Sequence, residues 1–146
     1  MTIEFIPFEV RHLLEIHPAE MRVELAPFVS RADHAQAMEI PGRSGTCIEG
    51  TRIIGCAGLM PQWPGREIAW AVFGDVAKRA WPELTHRVRA GLDGSQANGT
   101  RRIETAVLHG FSAAHRWAWK LGFRPEGPME KYAPNGDTYW LYARIR

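Results

Sequence analysis

The stretch HRWAWKLGF, residues 115–123, decides the fold. An aromatic and basic run with helical spacing ends at Leu121-Gly122-Phe123 and gives way directly to RPEGPMEKY. Gly122 can take the left-handed conformation that closes a helix, and Phe123 can then fold back onto the last helical turn. The pattern therefore predicts a helix over 111–121, with one apolar face, followed at once by a strand.

The bulk composition indicates one globular domain spanning residues 1–146. The chain is 45% hydrophobic and 23% charged, with a formal net charge of +2. That charge is too small to indicate a nucleic-acid partner, and the basic side chains are scattered along the chain. No apolar run approaches the roughly 20 residues that cross a bilayer, so we expect no membrane span and no signal peptide.

Apolar spacing and turn residues predict the other elements. Strands are expected at 3–8, 44–50, 51–60, 66–74 and 101–108, with a loop at 61–65 and a closing hairpin that turns tightly at Asn135-Gly136. Helices are expected at 9–16, at 19–38 with a break at Pro27, and from Trp81 until the glycine-rich 91–100.

The element order β-α-α-β-β-β-α-β-α-β-β predicts an α/β (α+β) fold. Its central sheet is mixed and mostly antiparallel, with helices on both faces. The strand 66–74 alternates cleanly and is expected to be central. Ile68, Trp70 and Val72 face one side of it, while Ala69 and Phe73 face the other.

Six residues around the opening stretch carry a family resemblance: Ala114, Leu121, Gly122, Phe123, Glu126 and Gly127. They match the C-terminal motif of the GNAT family of N-acetyltransferases, in which an alanine-containing helix ends in Leu-Gly-Phe before a strand with a Glu-Gly pair. The element order from Ile3 to Ile145 is also similar to that of the family. The chain most resembles GNAT-like proteins of phages and prophages.

This resemblance implies that strands 66–74 and 101–108 splay apart. The pantetheine arm of acetyl-CoA would lie in the gap and pair with the free edge of the first strand, while its pyrophosphate would rest on the N-terminus of the next helix. The positions that correspond to this donor site are Val72, Phe73, Lys78, Arg79, Ala80 and Trp81.

Attack on the thioester needs a neutral amine, and hence a general base or a water chain to one. The candidates are Glu67, on the central strand, and His109, at the end of the next strand. Each also has a plain structural interpretation, as a solvated carboxylate at a strand start and as a histidine that caps a helix.

Three departures from the family pattern weaken the enzyme hypothesis. GDVAKRAWPEL (74–84) lacks the glycines of the usual phosphate loop, and Pro82 removes one N–H donor. Ala118 stands where a tyrosine often protonates the leaving thiolate, and Phe111 stands in place of a common asparagine.

The first functional hypothesis is transfer of an acetyl group from acetyl-CoA to the amine of a small molecule or protein. The alternative is a catalytically inactive GNAT-fold phage protein with a structural or regulatory role, pairing with itself or with phage structural proteins. The first places the chain in the bacterial cytoplasm, the second also in the virion. Neither involves a metal. Binding of acetyl-CoA would be excluded if strands 66–74 and 101–108 paired along their whole length, or if Trp81 filled the opening between them.

Overall fold

The computed structural model describes residues 3–16, 23–26 and 36–146, which form one eight-stranded sheet with helices packed against it. The strands are β1 (Ile3–Pro7), β2 (Val23–Leu25), β3 (Ser44–Glu49), β4 (Arg52–Trp63), β5 (Arg66–Phe73), β6 (Arg102–Leu108), β7 (Arg124–Met129) and β8 (Tyr139–Ile145). Their order is β1-β3-β4-β5-β6-β8-β7, with β2 paired to β5 off this path. Among the strands of the described residues, only β5 and β6 run parallel to each other. The expected mixed, mostly antiparallel sheet is confirmed.

Two α-helices cover one face of the sheet: α1 (Trp81–Ala97) and α2 (Ser112–Lys120). Their buried side chains meet Ala69, Ala71 and Phe73 of β5 in one hydrophobic core. The opposite face of β5 packs Trp70 and Val72 on the N-terminal segment, which contains the 3-10 helices Val10–Glu15 and Gln36–Met38. Within the described ranges, no helix is long and apolar enough to cross a membrane.

The helix closure predicted from the opening stretch is confirmed. Gly122 has φ +98°, its N–H donates to the Trp119 carbonyl, and the Phe123 N–H donates to the Ala118 carbonyl. This pair of hydrogen bonds is the Schellman motif, which satisfies the last carbonyls of the helix. Phe123 is completely buried, so the closure also supplies a side chain to the core.

The structure corrects three boundaries. Strand β4 continues through Trp63, where a loop was expected. Helix α1 continues past Gly91 and Gly94 to Ala97, because Leu92, Ser95 and Gln96 are buried there and their packing offsets the low helix propensity of glycine. The final hairpin has a long connection from 130 to 138, in which Gly136 but not Asn135 has a positive φ.

A fourth correction concerns the predicted helices at 19–38. Residues 23–25 form strand β2 and 36–38 form a 3-10 turn, while 19–22 and 27–35, including Pro27, lie outside the described residues. Pairing with β5 overrides the helical apolar spacing of this segment.

Gly55 of β4 lies directly opposite Phe73 of β5, and a Cβ at this position would overlap the Phe73 ring. We expect Gly55→Ala to lower the free energy of unfolding by about 1–3 kcal/mol, since the buried ring must shift within a close-packed core. Urea denaturation measures this loss. The matched change Gly91→Ala meets open space on a helix and should leave stability equal or raise it by up to about 1 kcal/mol. Equal effects of the two changes would contradict the packing argument.

Candidate functional site

Strands β5 and β6 form a fork. They pair over only three residues, from Arg66–Arg102 to Ile68–Glu104, and then diverge. At the point of divergence the Thr105 hydroxyl donates a 2.9 Å hydrogen bond to the Ala69 carbonyl. The strands are therefore joined at one end and open at the other, so they are not paired along their length.

Charged side chains hold the closed end of the fork. Arg66 of β5 pairs with Glu104 of β6, and Arg102 pairs with Glu104 and with Glu126 of β7. These guanidinium partners hold the pKa values of Glu104 and Glu126 below the usual range for glutamate. The network links the three strands β5, β6 and β7.

The open end of the fork is filled by β2. Val23, Glu24 and Leu25 pair antiparallel with Phe73, Val72 and Ala71 of β5. On the other side, the Ala26 N–H donates a 2.8 Å hydrogen bond to the Ala106 carbonyl of β6. Leu25 is 2% exposed. The edge of Val72 and Phe73, which the sequence predicts for the donor arm, is thus occupied by the chain's own strand.

A cavity of about 950 Å³, which we call the mouth cavity, lies outside this strand at the beginning of α1. Of the predicted donor positions, Lys78 and Trp81 line it, whereas Arg79 and Ala80 do not. Arg116 and Lys120 of α2 add positive charge from the other side. Neither residue was predicted to belong to this site, since only the packing of α2 beside α1 brings them there.

Trp81 forms a wall of the mouth cavity and does not fill the opening. Its ring meets Phe73 at 6.0 Å and Trp117 at 5.5 Å between centroids, and these two rings lie 5.6 Å apart. The Trp117 indole N–H donates to the Thr85 hydroxyl at 2.9 Å. The three rings form a fixed aromatic cluster between the fork and the helices.

The entrance to α1 presents few free backbone donors. The Ala80 N–H donates to the Ala77 carbonyl, the Trp81 N–H donates to the Lys78 carbonyl, and Pro82 has no N–H. The amide cradle that binds phosphate at many helix N-termini is therefore largely used internally. An anion in the mouth cavity would depend on the side chains of Lys78, Arg116 and Lys120.

The structure places Glu67 away from the open gap. It lies at the closed end of the fork opposite Ile103, and its residue exposure is 2%. Its Oε1 accepts hydrogen bonds from Ser95 and, at 2.9 Å, from Thr100. Its Oε2 lies 2.9 Å from Arg43 Nη1 but accepts no well-aligned hydrogen bond from the described residues. These contacts join β5 to the last turn of α1.

His109 also lies outside the gap, in an open groove between α2 and β8 that His115, Trp140 and Tyr142 line. The Trp140 indole N–H donates to His109 Nδ1 at 2.9 Å. Because indole can only donate, a neutral His109 carries its proton on Nε2 and has no free nitrogen lone pair for a substrate. As placed, this imidazole presents a donor, and not a lone pair, to the groove.

The same groove contains a histidine–tyrosine pair that the sequence did not connect. His115 Nε2 lies 2.9 Å from the Leu108 carbonyl, which can only accept, so the Tyr142 hydroxyl donates to His115 Nδ1 at 2.7 Å. Burial raises the pKa of Tyr142. Both ring nitrogens of His115 are therefore engaged in anchoring α2 to β6 and β8.

The described residues contain no group of ligands suited to a metal ion. Cys47 and Cys56 are free and buried, and burial raises the pKa of their thiols to about 12 and about 11. Both thiols are protonated near neutral pH and cannot serve as nucleophiles.

The similarity of this architecture to solved structures decides the fold. It matches a GNAT-family acetyltransferase from Bacillus anthracis with a TM-score of 0.68 at 14% identity, covering 98% of this chain and 94% of that one. The fold is that of the GNAT acetyltransferases. No protein-family model matches the sequence, and no curated protein matches it.

Two further GNAT-fold neighbours extend over nearly the whole of both chains. A Bacillus subtilis acetyltransferase solved in complex with CoA has a TM-score of 0.67 at 14% identity, covering 99% of this chain and 97% of that one. An N-acetyltransferase from Staphylococcus aureus Mu50 has a TM-score of 0.68 at 13% identity, covering 99% and 98%. At such identities the similarity establishes the fold. None of these names bears on the phage resemblance, which stays a prediction.

The contacts of Glu67 predict a structural role. We expect Glu67→Ala to lower the free energy of unfolding by about 2 kcal/mol, because Arg43, Ser95 and Thr100 lose their shared partner. The value is reduced from that of a fully buried pair, since the Arg43 side chain is 38% exposed. Urea denaturation provides the measurement, and Glu130→Ala, an exposed glutamate, is the matched control. An unchanged stability would show that the buried cluster does not bind the carboxylate as described.

Proposed function

We propose that this protein is an acyltransferase that moves an acyl group from a CoA thioester to the amine of a small molecule or protein. The observation that carries the proposal is the fork between β5 and β6, which accommodates one extended strand and opens beside the mouth cavity. The GNAT fold of the chain, and a neighbour of that fold solved with CoA, support the same donor.

In this proposal the pantetheine arm takes the place of β2. Its amide groups pair with the edge of β5 at Val72 and Phe73, as an added strand would. Residues 23–26 must leave the fork first, so the binding-competent state is only part of the population and the apparent affinity falls by that fraction. The phosphates then lie in the mouth cavity near Lys78, Arg116 and Lys120.

The transfer step forms a C–N bond between the amine and the acyl carbon and breaks the C–S bond to CoA. The thiolate leaves, and the amine loses one proton. Since neither Glu67 nor His109 lies in the gap, we propose that the amine reacts as its free base and releases its proton to solvent. The rate should then rise with pH until the amine's own pKa is passed.

A second candidate function is favoured by a specific observation. The fork is already filled by the chain's own strand, and the start of α1 has few free amides. Both features suit a GNAT-fold protein that binds no donor and has a structural or regulatory role. Such a role would agree with the missing glycines, tyrosine and asparagine of the family pattern.

One substitution separates the two candidates. Leu25→Gly removes the buried anchor of β2, a change of the class that costs about 3–5 kcal/mol at a core leucine. If the donor arm competes with β2, this variant should bind acetyl-CoA at least tenfold more tightly than the unchanged protein, because more of the population has an open fork. Isothermal titration calorimetry gives the dissociation constants.

The control is Leu14→Gly, the same chemical change at a leucine that is 88% exposed, which should leave the affinity unchanged. Weaker binding by Leu25→Gly than by the control would overturn the competition. If neither the unchanged protein nor either variant binds acetyl-CoA, the result would instead support the second candidate, a protein that binds no donor and has a structural or regulatory role.

The charges of the mouth cavity give a further prediction. Lys120→Ala should weaken the binding of CoA several-fold, and the loss should shrink at high salt, because one phosphate partner is removed from a screened site. Arg79→Ala removes a neighbouring positive charge that does not line the cavity and should have little effect. The two variants are compared by calorimetry at low and high ionic strength. Equal losses would place the phosphates elsewhere.

A further inference from the structure

A second cavity, of about 510 Å³, lies between α1 and the sheet, and we call it the inner cavity. Its walls are mixed, with somewhat more apolar than polar surface. They are formed by side chains of the sheet, of α1 and α2 and of the segment that follows α2, among them Ala57, Leu59, Ala69, Leu92, Trp117 and Phe123. Gly91 and Gly94 of α1 also line it, at positions that are exposed to solvent. The inner cavity is therefore open to solvent along this part of the helix.

Strand β2 stands between the inner cavity and the mouth cavity. Leu25 lines the inner cavity, while Val23, two residues earlier on the same strand, lines the mouth cavity. Trp117 borders both. Withdrawal of β2 from the fork would remove Leu25 and join the two spaces along β5. The resulting channel would lead from the cationic entrance to the apolar space under α1.

The inner cavity is much larger than an acetyl group requires. At roughly 30 Å³ for each water-sized group, a chain of eight carbons needs less than half of its volume. We infer that the acyl group carried by the donor is a medium-length hydrocarbon chain, whose thioester lies in the fork and whose tail lies in the inner cavity. This inference rests on the proposed acyltransferase function and specifies its donor.

The charges at the inner cavity support a neutral tail. Arg43 pairs with Glu67 and donates a 3.1 Å hydrogen bond to Ser95. Arg87 donates to the Ile3 carbonyl at 2.8 Å and lies over the Phe5 ring. Both guanidinium groups that border the space are thus committed to the protein. A hydrocarbon needs no polar partner there, and its burial contributes about a fourfold gain in affinity for each methylene fully removed from water.

The test compares the binding of CoA, acetyl-CoA and octanoyl-CoA by calorimetry. Octanoyl-CoA should bind at least tenfold more tightly than acetyl-CoA. Two variants reduce the inner cavity from opposite walls, Gly91→Leu on α1 and Ala57→Leu on β4, and each should remove most of this difference while acetyl-CoA binding changes little. The matched control is Ala90→Leu, which adds the same kind of bulk at a neighbouring position of α1 that does not line the cavity. Thermal melting establishes that each variant is folded.

Every outcome has a defined meaning. Equal affinities for octanoyl-CoA and acetyl-CoA would overturn the inference and leave the proposed function standing. A preference for octanoyl-CoA that both filled variants retain would also overturn it, because the chain would then lie elsewhere. If none of the three thioester or thiol probes binds, the proposed function fails and the inference fails with it.

Discussion

The structure depends on one constraint: β5 and β6 stop pairing after three residues, and their backbone groups beyond that point still need partners. Residues 23–26 meet this need with pairing on β5 and a hydrogen bond to β6. The fork is therefore a position for one strand, whether the protein or a ligand supplies it.

The sequence predicted those parts of the fold whose signals are local. Gly122 closes α2 through hydrogen bonds to residues next to it in sequence, and the alternation of β5 follows from adjacent residues. Both features could therefore be predicted from the sequence. β2 was not, because the three residues VEL have no period of their own and take their conformation from β5, nearly fifty positions away. The predicted end of α1 was wrong for a similar reason. The low helix propensity of glycine is a local property, whereas the packing that outweighs it involves residues distant in sequence.

The candidate site was predictable in position but not in detail. Lys78 and Trp81 line the mouth cavity as expected, because the start of α1 is marked by Pro82. The roles of Glu67 and His109 depend on residues far along the chain. Ser95 and Thr100 return to Glu67 only after the full length of α1, and Trp140 reaches His109 across a strand pair. The residue types of Glu67 and His109 suggested general bases, whereas the tertiary contacts of both side chains are with structural partners.

The two ends of the fork are held by different forces. The closed end is fastened by Arg66, Arg102 and their carboxylates, which are partly exposed, while the open end is seated by the fully enclosed Leu25. Dissolved ions screen the first, whereas cooling weakens the second, since hydrophobic burial loses strength at low temperature. Ionic strength and temperature thus act on opposite ends of the same pair of strands. Low salt combined with low temperature strengthens the ion pairs of the closed end and weakens the seating of Leu25 at the open end.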